Sequence, residues 1–131
     1  MLARLISNDW YFSENYGPYK KIDLPHDYQV GKERDQNCLG GAACGFYPSA
    51  PSRYVKHLSL TKGRHYVLHI DGAYMCCEVI FNENHLGIHP HGYTPFYVDL
   101  SPYVLDGITN KLKVALSPLE ASTRWYSGNG I

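Results

Sequence analysis

Three histidines lie close together in the segment His85-Leu86-Gly87-Ile88-His89-Pro90-His91, where imidazoles could ligate a transition metal. Pro90 and the following glycine favour a loop, and no neighbouring cysteine or carboxylate completes a familiar ligand set. We therefore expect exposed loop histidines here, with no metal and no cofactor bound.

Acid–base chemistry on a glycoside would need two carboxyl groups facing one bond. The twelve Asp and Glu residues are scattered, mostly in turn-like segments where carboxylates cap turns. His26 and Asp27 are adjacent, so the pair is expected to form a hydrogen-bonded turn rather than to face one substrate atom. No GxSxG motif is present, and the glycine-rich segment 40–45 lacks the GxxxxGK[ST] phosphate loop. The sequence thus contains no complete catalytic constellation.

Composition excludes some partners. Twelve Lys+Arg balance twelve Asp+Glu at a pI near 7.0, so no net field attracts nucleic acid or an anionic membrane surface. The chain of 131 residues has the length of one domain. Its 12 tyrosines suit sugar or protein recognition, but they are equally typical of β-rich proteins.

Cysteine usage and the N-terminus favour a cytoplasmic protein. No CxxC pair occurs among the four cysteines, and adjacent cysteines in a strand point to opposite faces, which argues against a Cys76–Cys77 bond. Free, mostly buried thiols are expected. The N-terminal segment has no apolar run of signal-peptide length, and none of the chain approaches a membrane span. The four cysteines are Cys38, Cys44, Cys76 and Cys77.

Alternating apolar residues indicate the elements that would position these side chains. Leu112, Val114 and Leu116 lie on one face of a predicted strand, while segment 25–54 is loop-like. Ser101–Leu105 could form one helical turn with Ser101 as its cap. Short strands at this spacing predict an all-β sandwich or barrel. The predicted strands are 53–60, 65–71, 77–81, 95–100 and 111–117, with a turn at 61–64 and a hairpin in which 82–84 turn the chain into 85–89.

Five segments, in this order, resemble glycoside hydrolase family 2. The resemblance covers nearly the whole chain, and the order and spacing of the five segments make it specific. They are 24–28 (LPHDY), 40–56 (GGAACGFYPSAPSRYVK), 71–82 (DGAYMCCEVIFN), 86–100 (LGIHPHGYTPFYVDL) and 124–131 (RWYSGNGI).

The resemblance implies the N-terminal sugar-binding domain of a β-galactosidase-like enzyme, with the galactose-binding-domain-like jelly-roll β-sandwich fold. Residues 1–131 would be this single domain, truncated from a larger multidomain glycosidase whose catalytic TIM barrel lies elsewhere. Its implied partners are that barrel and a carbohydrate substrate, a β-galactoside or similar. Galactose, glucuronate and mannose all remain open, as does a homo-oligomer.

The resemblance also implies a carbohydrate-binding segment at Thr123, Arg124 and Trp125. Trp125 could stack on a sugar face, and Arg124 could donate to hydroxyls or pair with a barrel carboxylate, although core or interdomain packing would also account for the tryptophan. Two alternatives to an accessory domain stay open: a free-standing lectin-like module, and a structural interaction domain without sugar affinity. The gene is expected to continue past Ile131 into the barrel, so in residues 1–131 alone that residue and its neighbours are expected to be poorly paired, either frayed or paired with a neighbouring chain.

Overall fold

The computed structural model describes residues 3–27, 33–34, 36–37, 51–74, 76–89, 94–117 and 130–131. Eight strands and one 3-10 helix are present in these ranges, and no helix among them is long and apolar enough to cross a bilayer. The strands are β1 Trp10–Glu14, β2 Lys20–Ile22, β3 Ser52–Leu58, β4 Val67–Ile70, β5 Cys77–Phe81, β6 Asn84–His89, β7 Phe96–Asp99 and β8 Asn110–Leu116; the 3-10 helix is Ser101–Tyr103.

The strands form two antiparallel sheets. One sheet has six strands in the order β2-β1-β3-β8-β5-β6, and the other pairs β4 with β7. Apolar side chains from both sheets meet in one buried cluster, which makes the molecule a β-sandwich. The predicted all-β sandwich is therefore confirmed, whereas the jelly-roll connectivity stays a prediction.

Strand β8 shows why the alternating segments were predictable. Leu112, Val114 and Leu116 are fully buried, while Lys111 and Lys113 between them are partly exposed. Side chains alternate between the two faces of a strand, so one apolar face packs against the core. β8 lies inside its sheet, paired with β3 on one side and with β5 on the other.

The turn between β5 and β6 has the predicted position and a tighter geometry than the sequence indicated. Asn82 and Glu83 alone connect Phe81 to its partner Asn84, and both have positive φ, 48° and 66°. Two left-handed residues in a two-residue hairpin define a type I′ turn. Asparagine accepts this conformation readily, whereas glutamate adopts it at an energetic cost.

One prediction about local structure was wrong, and two strands near the N-terminus, β1 and β2, were not predicted at all. Ser101 begins the 3-10 helix but does not cap it, because its hydroxyl oxygen accepts a hydrogen bond from the Tyr66 N–H at 2.7 Å. The cap position belongs to Leu100, and Ser101 instead ties the helix to the start of β4.

Candidate functional site

The predicted carbohydrate-binding residues Thr123, Arg124 and Trp125 lie outside the described residues, as do His91, Cys38 and Cys44. The structure does describe the end of the same family-like segment, Gly130 and Ile131. The candidate site surrounds these two residues.

Gly130 and Ile131 are held between two other segments, an arrangement we call the C-terminal clamp. Ile131 exchanges two backbone hydrogen bonds with His26, at 2.9 and 3.2 Å, and Gly130 exchanges two with Tyr74, at 3.0 and 3.2 Å. The chain thus runs as the middle strand of three. The prediction that Ile131 and its neighbours are poorly paired is wrong for these two residues, because long-range backbone partners satisfy them on both sides.

The clamp requires glycine at position 130. A Cβ atom built on Gly130 would lie 1.9 Å from the His26 carbonyl oxygen and 2.8 Å from the Asp27 Cα. Such distances are far inside van der Waals contact, and both neighbours are backbone atoms that cannot rotate away. The close approach of the two chains therefore depends on the missing side chain.

A groove of about 470 Å³ opens directly beside the clamp. Its floor and walls are mainly apolar and include Trp10, which is 3% exposed. Asp71 is the single carboxylate among the residues that line the groove. Those residues are Arg4–Ser7, Trp10, Leu24, Pro25, Leu68–Gly72 and Ile131.

An aromatic pair lies at the rim of the groove on the outer face of β4 and β7. His69 and Tyr97 are cross-strand partners whose rings stack 4.4 Å apart at an angle of 17°. Tyr97 is 68% exposed, and the His69 Nε2 atom lies 3.2 Å from a carboxylate oxygen of Asp71. An exposed ring face can contact an apolar face of a ligand, and a neighbouring carboxylate can accept hydrogen bonds from hydroxyl groups. The alternation of apolar and polar residues in the predicted strands 65–71 and 95–100 was the sequence signal for this pair. The pairing register of the two strands, however, cannot be obtained from the sequence of one strand.

His26 connects the clamp to the core. Its Nδ1 atom lies 2.7 Å from the hydroxyl oxygen of Tyr54, which is fully buried, and its ring packs 4.5 Å from that of Phe12. Burial lowers the pKa of His26, assisted by Lys20 and opposed by Asp27. Burial likewise raises the pKa of the Tyr54 phenol, so this hydroxyl keeps its proton.

The other candidate residues adopt ordinary structural roles. His85 and His89 lie on β6 rather than in a loop; His85 pairs with Glu78 at 3.0 Å, and His89 stacks on Phe96. Among the described residues, no group of three potential ligands is placed to hold a metal ion.

Cys76 and Cys77 are both free thiols, which confirms that they do not bond to each other. Cys77 is fully buried at the start of β5, and this burial raises its pKa to about 12. A thiol with so high a pKa remains protonated at neutral pH and acts as a small core residue.

By sequence, this chain is similar to parts of larger known proteins. The β-galactosidase BoGH2A of Bacteroides ovatus is 35% identical over 128 residues, covering 95% of this chain and 14% of that protein. A putative β-glucuronidase of Formosa agariphila is 30% identical over 140 residues, covering 95% of this chain and 13% of that protein. No family model matches the chain.

Solved structures agree with the sequence relatives. A glycosyl hydrolase family 2 member from Bacteroides cellulosilyticus superposes with a TM-score of 0.86 at 27% identity, covering 98% of this chain and 19% of that one. A β-glycosidase from Bacteroides vulgatus gives a TM-score of 0.81 at 27% identity, covering 95% and 18%. The chain therefore spans less than a fifth of the length of each of these four proteins.

Proposed function

Because this chain is a β-sandwich domain related to glycoside hydrolase family 2 proteins over nearly its whole length, we propose that it is a non-catalytic accessory domain of a longer β-glycoside hydrolase. The observation that carries the proposal is the pair of coverages: 95–98% of this chain aligns with 13–19% of each relative. A domain that fills so small a share of its relatives leaves the rest of their length to other domains. The catalytic carboxylates would then belong to a barrel elsewhere in the polypeptide.

The chemistry of the groove is compatible with this division of work. Hydrolysis of a glycosidic bond by the usual route needs two carboxyl groups on either side of that bond. The residues that line the groove contribute Asp71 alone, and its side chain is 96% exposed. A single carboxylate can accept a hydrogen bond from a sugar hydroxyl, but the usual route of hydrolysis also needs a second carboxyl group across the bond.

The substrate of the parent enzyme is proposed to be a terminal β-galactoside. Relatives named β-galactosidase and β-glucuronidase both match this chain, so the shared chemistry is a β-linked sugar with exposed hydroxyls. Thr123, Arg124 and Trp125 are proposed to border the sugar pocket from the accessory side, with Trp125 stacking on the sugar and Arg124 donating hydrogen bonds. The cytoplasmic location stays a prediction.

The test compares this polypeptide with the complete product of its gene. We expect the 131-residue chain to hydrolyse nitrophenyl β-galactoside at the background rate and the complete product to turn it over. In the complete product, W125A should raise KM more than it lowers kcat, since stacking acts on bound sugar. Tyr16→Ala, which removes an exposed tyrosine of the β1–β2 turn, is the control. Turnover by the short chain, or a complete product without glycosidase activity, would refute the proposal.

A second function is favoured by the exposed pair of His69 and Tyr97, with Asp71 beside it. These residues could make the domain a carbohydrate-binding module in its own right. Titration of the chain with galactose, glucose and glucuronate, followed by tryptophan fluorescence, separates the two functions. The accessory role predicts weak or undetectable binding, whereas micromolar affinity that is lost in Tyr97→Ala would establish the binding module.

A further inference from the structure

We propose that Asp71 is a site of spontaneous isomerisation to isoaspartate, and that this change in the main chain loosens the C-terminal clamp. The proposal concerns the covalent stability of the domain and does not rest on the proposed function. It starts from two Asp-Gly pairs in the sequence, Asp71-Gly72 and Asp106-Gly107, which the fold places in different surroundings.

The reaction needs only the aspartate, the next backbone nitrogen and water. The Gly72 nitrogen attacks the side-chain carboxyl carbon of Asp71, a C–N bond forms, and one carboxyl oxygen leaves as water with the amide proton and a proton from solvent. Water then opens the five-membered imide at the main-chain carbonyl, which breaks the original peptide C–N bond and returns the proton. The product has the same mass, but its main chain now runs through the side-chain carbon. Glycine favours ring closure because no Cβ restricts the backbone or shields the nitrogen.

The Asp71-Gly72 pair lies just beyond the end of a strand. The ladder between β4 and β7 ends at Ile70, which pairs with Phe96, and Asp71 forms a bend directly after it. The Asp71 side chain is 96% exposed, and His69 Nε2 lies 3.2 Å from a carboxylate oxygen, a contact that does not involve the Gly72 nitrogen. Among the described residues, none accepts a hydrogen bond from the Gly72 N–H. Both reacting groups are therefore accessible to each other and to water.

The Asp106-Gly107 pair has the same chemistry in a tighter loop. The side-chain amide of Asn110 accepts from the Leu105 N–H at 2.8 Å and donates to the Leu105 carbonyl at 3.2 Å. The residue before Asp106 is thus fixed through both of its backbone groups. Because the backbone rotation that closes the ring would strain these two hydrogen bonds, the reaction should be about tenfold slower here than at Asp71.

Isomerisation at Asp71 would act on the clamp, which lies a few residues further along the chain. Ala73 is buried in the core at 1% exposure, and Tyr74 exchanges two backbone hydrogen bonds with Gly130 at 3.0 and 3.2 Å. The additional carbon atom lengthens the main chain before both residues by about 1.5 Å. An isolated bridge opens more easily than a packed core, so the pairing of Tyr74 with Gly130 is expected to yield first.

The first test measures isoaspartate at both Asp-Gly pairs after the chain has been kept at neutral pH and body temperature for several weeks. An endoproteinase that cleaves before aspartate but not before isoaspartate, followed by mass spectrometry, resolves the two sites. We expect about tenfold more isoaspartate at Asp71 than at Asp106. Gly72→Ala, at a position without positive φ, should suppress the product at Asp71 and leave that at Asp106 unchanged. Equal conversion at the two sites, or more at Asp106, would overturn the proposal.

The second test asks whether the conversion opens the clamp. In the chromatographic fraction that carries isoaspartate at position 71, exchange of the Tyr74 amide should be about tenfold faster than in the fresh chain, while exchange in β8 should not change. The matched control is Asp71→Glu kept under the same conditions. It retains the carboxylate beside His69 but isomerises far more slowly, because its longer side chain must close a six-membered ring.

The control also corrects for a second source of isoaspartate. The pair Asn129-Gly130, an asparagine followed by glycine, can form isoaspartate independently and is present in both proteins. Equal acceleration at Tyr74 in the natural chain and in Asp71→Glu, or no acceleration in the converted natural chain, would overturn the proposed link to the clamp.

Discussion

The turn of β5–β6 and the C-terminal clamp close two regions of the sandwich in different ways. At the turn, Asn110 is fully buried; its Oδ1 atom accepts from the Leu105 N–H at 2.8 Å and from Asn82 Nδ2 at 2.7 Å, and its Nδ2 donates to the Leu105 carbonyl at 3.2 Å. Asn82 in turn accepts from the Lys111 N–H and donates to the Tyr103 carbonyl. We call these five residues the asparagine corner.

The clamp uses backbone groups instead of side-chain amides. Its four hydrogen bonds join Gly130 and Ile131 to His26 and Tyr74, and a groove lies directly beside them. The asparagine corner is filled by its own side chains, whereas the clamp leaves a groove next to β4. The comparison teaches that one region of this domain is closed by buried side-chain hydrogen bonds and the other by backbone pairing.

The largest effect is expected from Asn110→Ala in the asparagine corner. The substitution leaves the Leu105 N–H and the Asn82 amide without their buried acceptor, so the free energy of unfolding should fall by about 3 kcal/mol. Urea denaturation measures it, with Thr109→Ala at the neighbouring exposed position as the control. A loss no larger than that of the control would show that the corner does not stabilise the domain.

A smaller and more local effect is expected from Gly130→Ala in the clamp. The added Cβ collides with the His26 carbonyl, so the four backbone bonds should be lost at a cost of about 1 to 2 kcal/mol. Hydrogen exchange should accelerate at the amides of His26 and Tyr74. Ile131→Ala removes apolar contact but keeps the backbone pairing, so both amides should remain protected in that control. Equal acceleration in the two variants would mean that side-chain packing, not backbone pairing, holds the clamp.

Whether a feature could be predicted from the sequence depends on how far apart in the chain the interacting residues lie. β8 was predictable because its alternation is local, with Leu112, Val114 and Leu116 on one face. β1 was missed because Ser13 is buried beside Phe12 and interrupts the alternation; its hydroxyl is satisfied by the Gly17 carbonyl at 2.6 Å. A buried serine does not fit the alternation of apolar and polar residues from which strands are predicted.

The candidate site depends even more on distant contacts. The clamp joins the last residues to His26 and Tyr74, and a stacked pair such as His69 and Tyr97 requires the register of two strands. The resemblance to known enzymes implied a function for the terminal segment, but the geometry of Gly130 and Ile131 follows from pairing between remote parts of the chain. The role proposed for Thr123, Arg124 and Trp125 stays a prediction.

The β5–β6 turn, next to the asparagine corner, contains a residue whose replacement should stabilise the domain. Glu83 has a φ of 66° at the second position of a type I′ turn, where glycine is strongly preferred. Glu83→Gly should raise the free energy of unfolding by about 1 kcal/mol because it relieves the left-handed strain. Glu83→Ala removes the charge and keeps the strain, so it should bring no gain. A gain of equal size in the alanine variant would attribute the effect to charge and not to backbone conformation.

The smallest effect is a pH dependence that belongs to the clamp side and not to the asparagine corner, whose two asparagines do not titrate. Burial lowers the pKa of His26 from its usual value of 6.5, so the unfolded chain binds the proton first as the pH falls. The contribution of His26 to stability is therefore complete above pH 6.5 and declines as the pH falls from 6.5 toward the lowered pKa of the folded state.

The variant His26→Gln has no titratable group at this position. Its stability relative to that of the natural chain should therefore increase as the pH falls from about 7.5 to about 5. Urea denaturation at both pH values measures this difference, and parallel decline of the two proteins would remove His26 as the source. Tyr54→Phe deletes the hydroxyl 2.7 Å from the His26 Nδ1 atom but leaves the burial of the ring, so most of the pH dependence should persist in that variant.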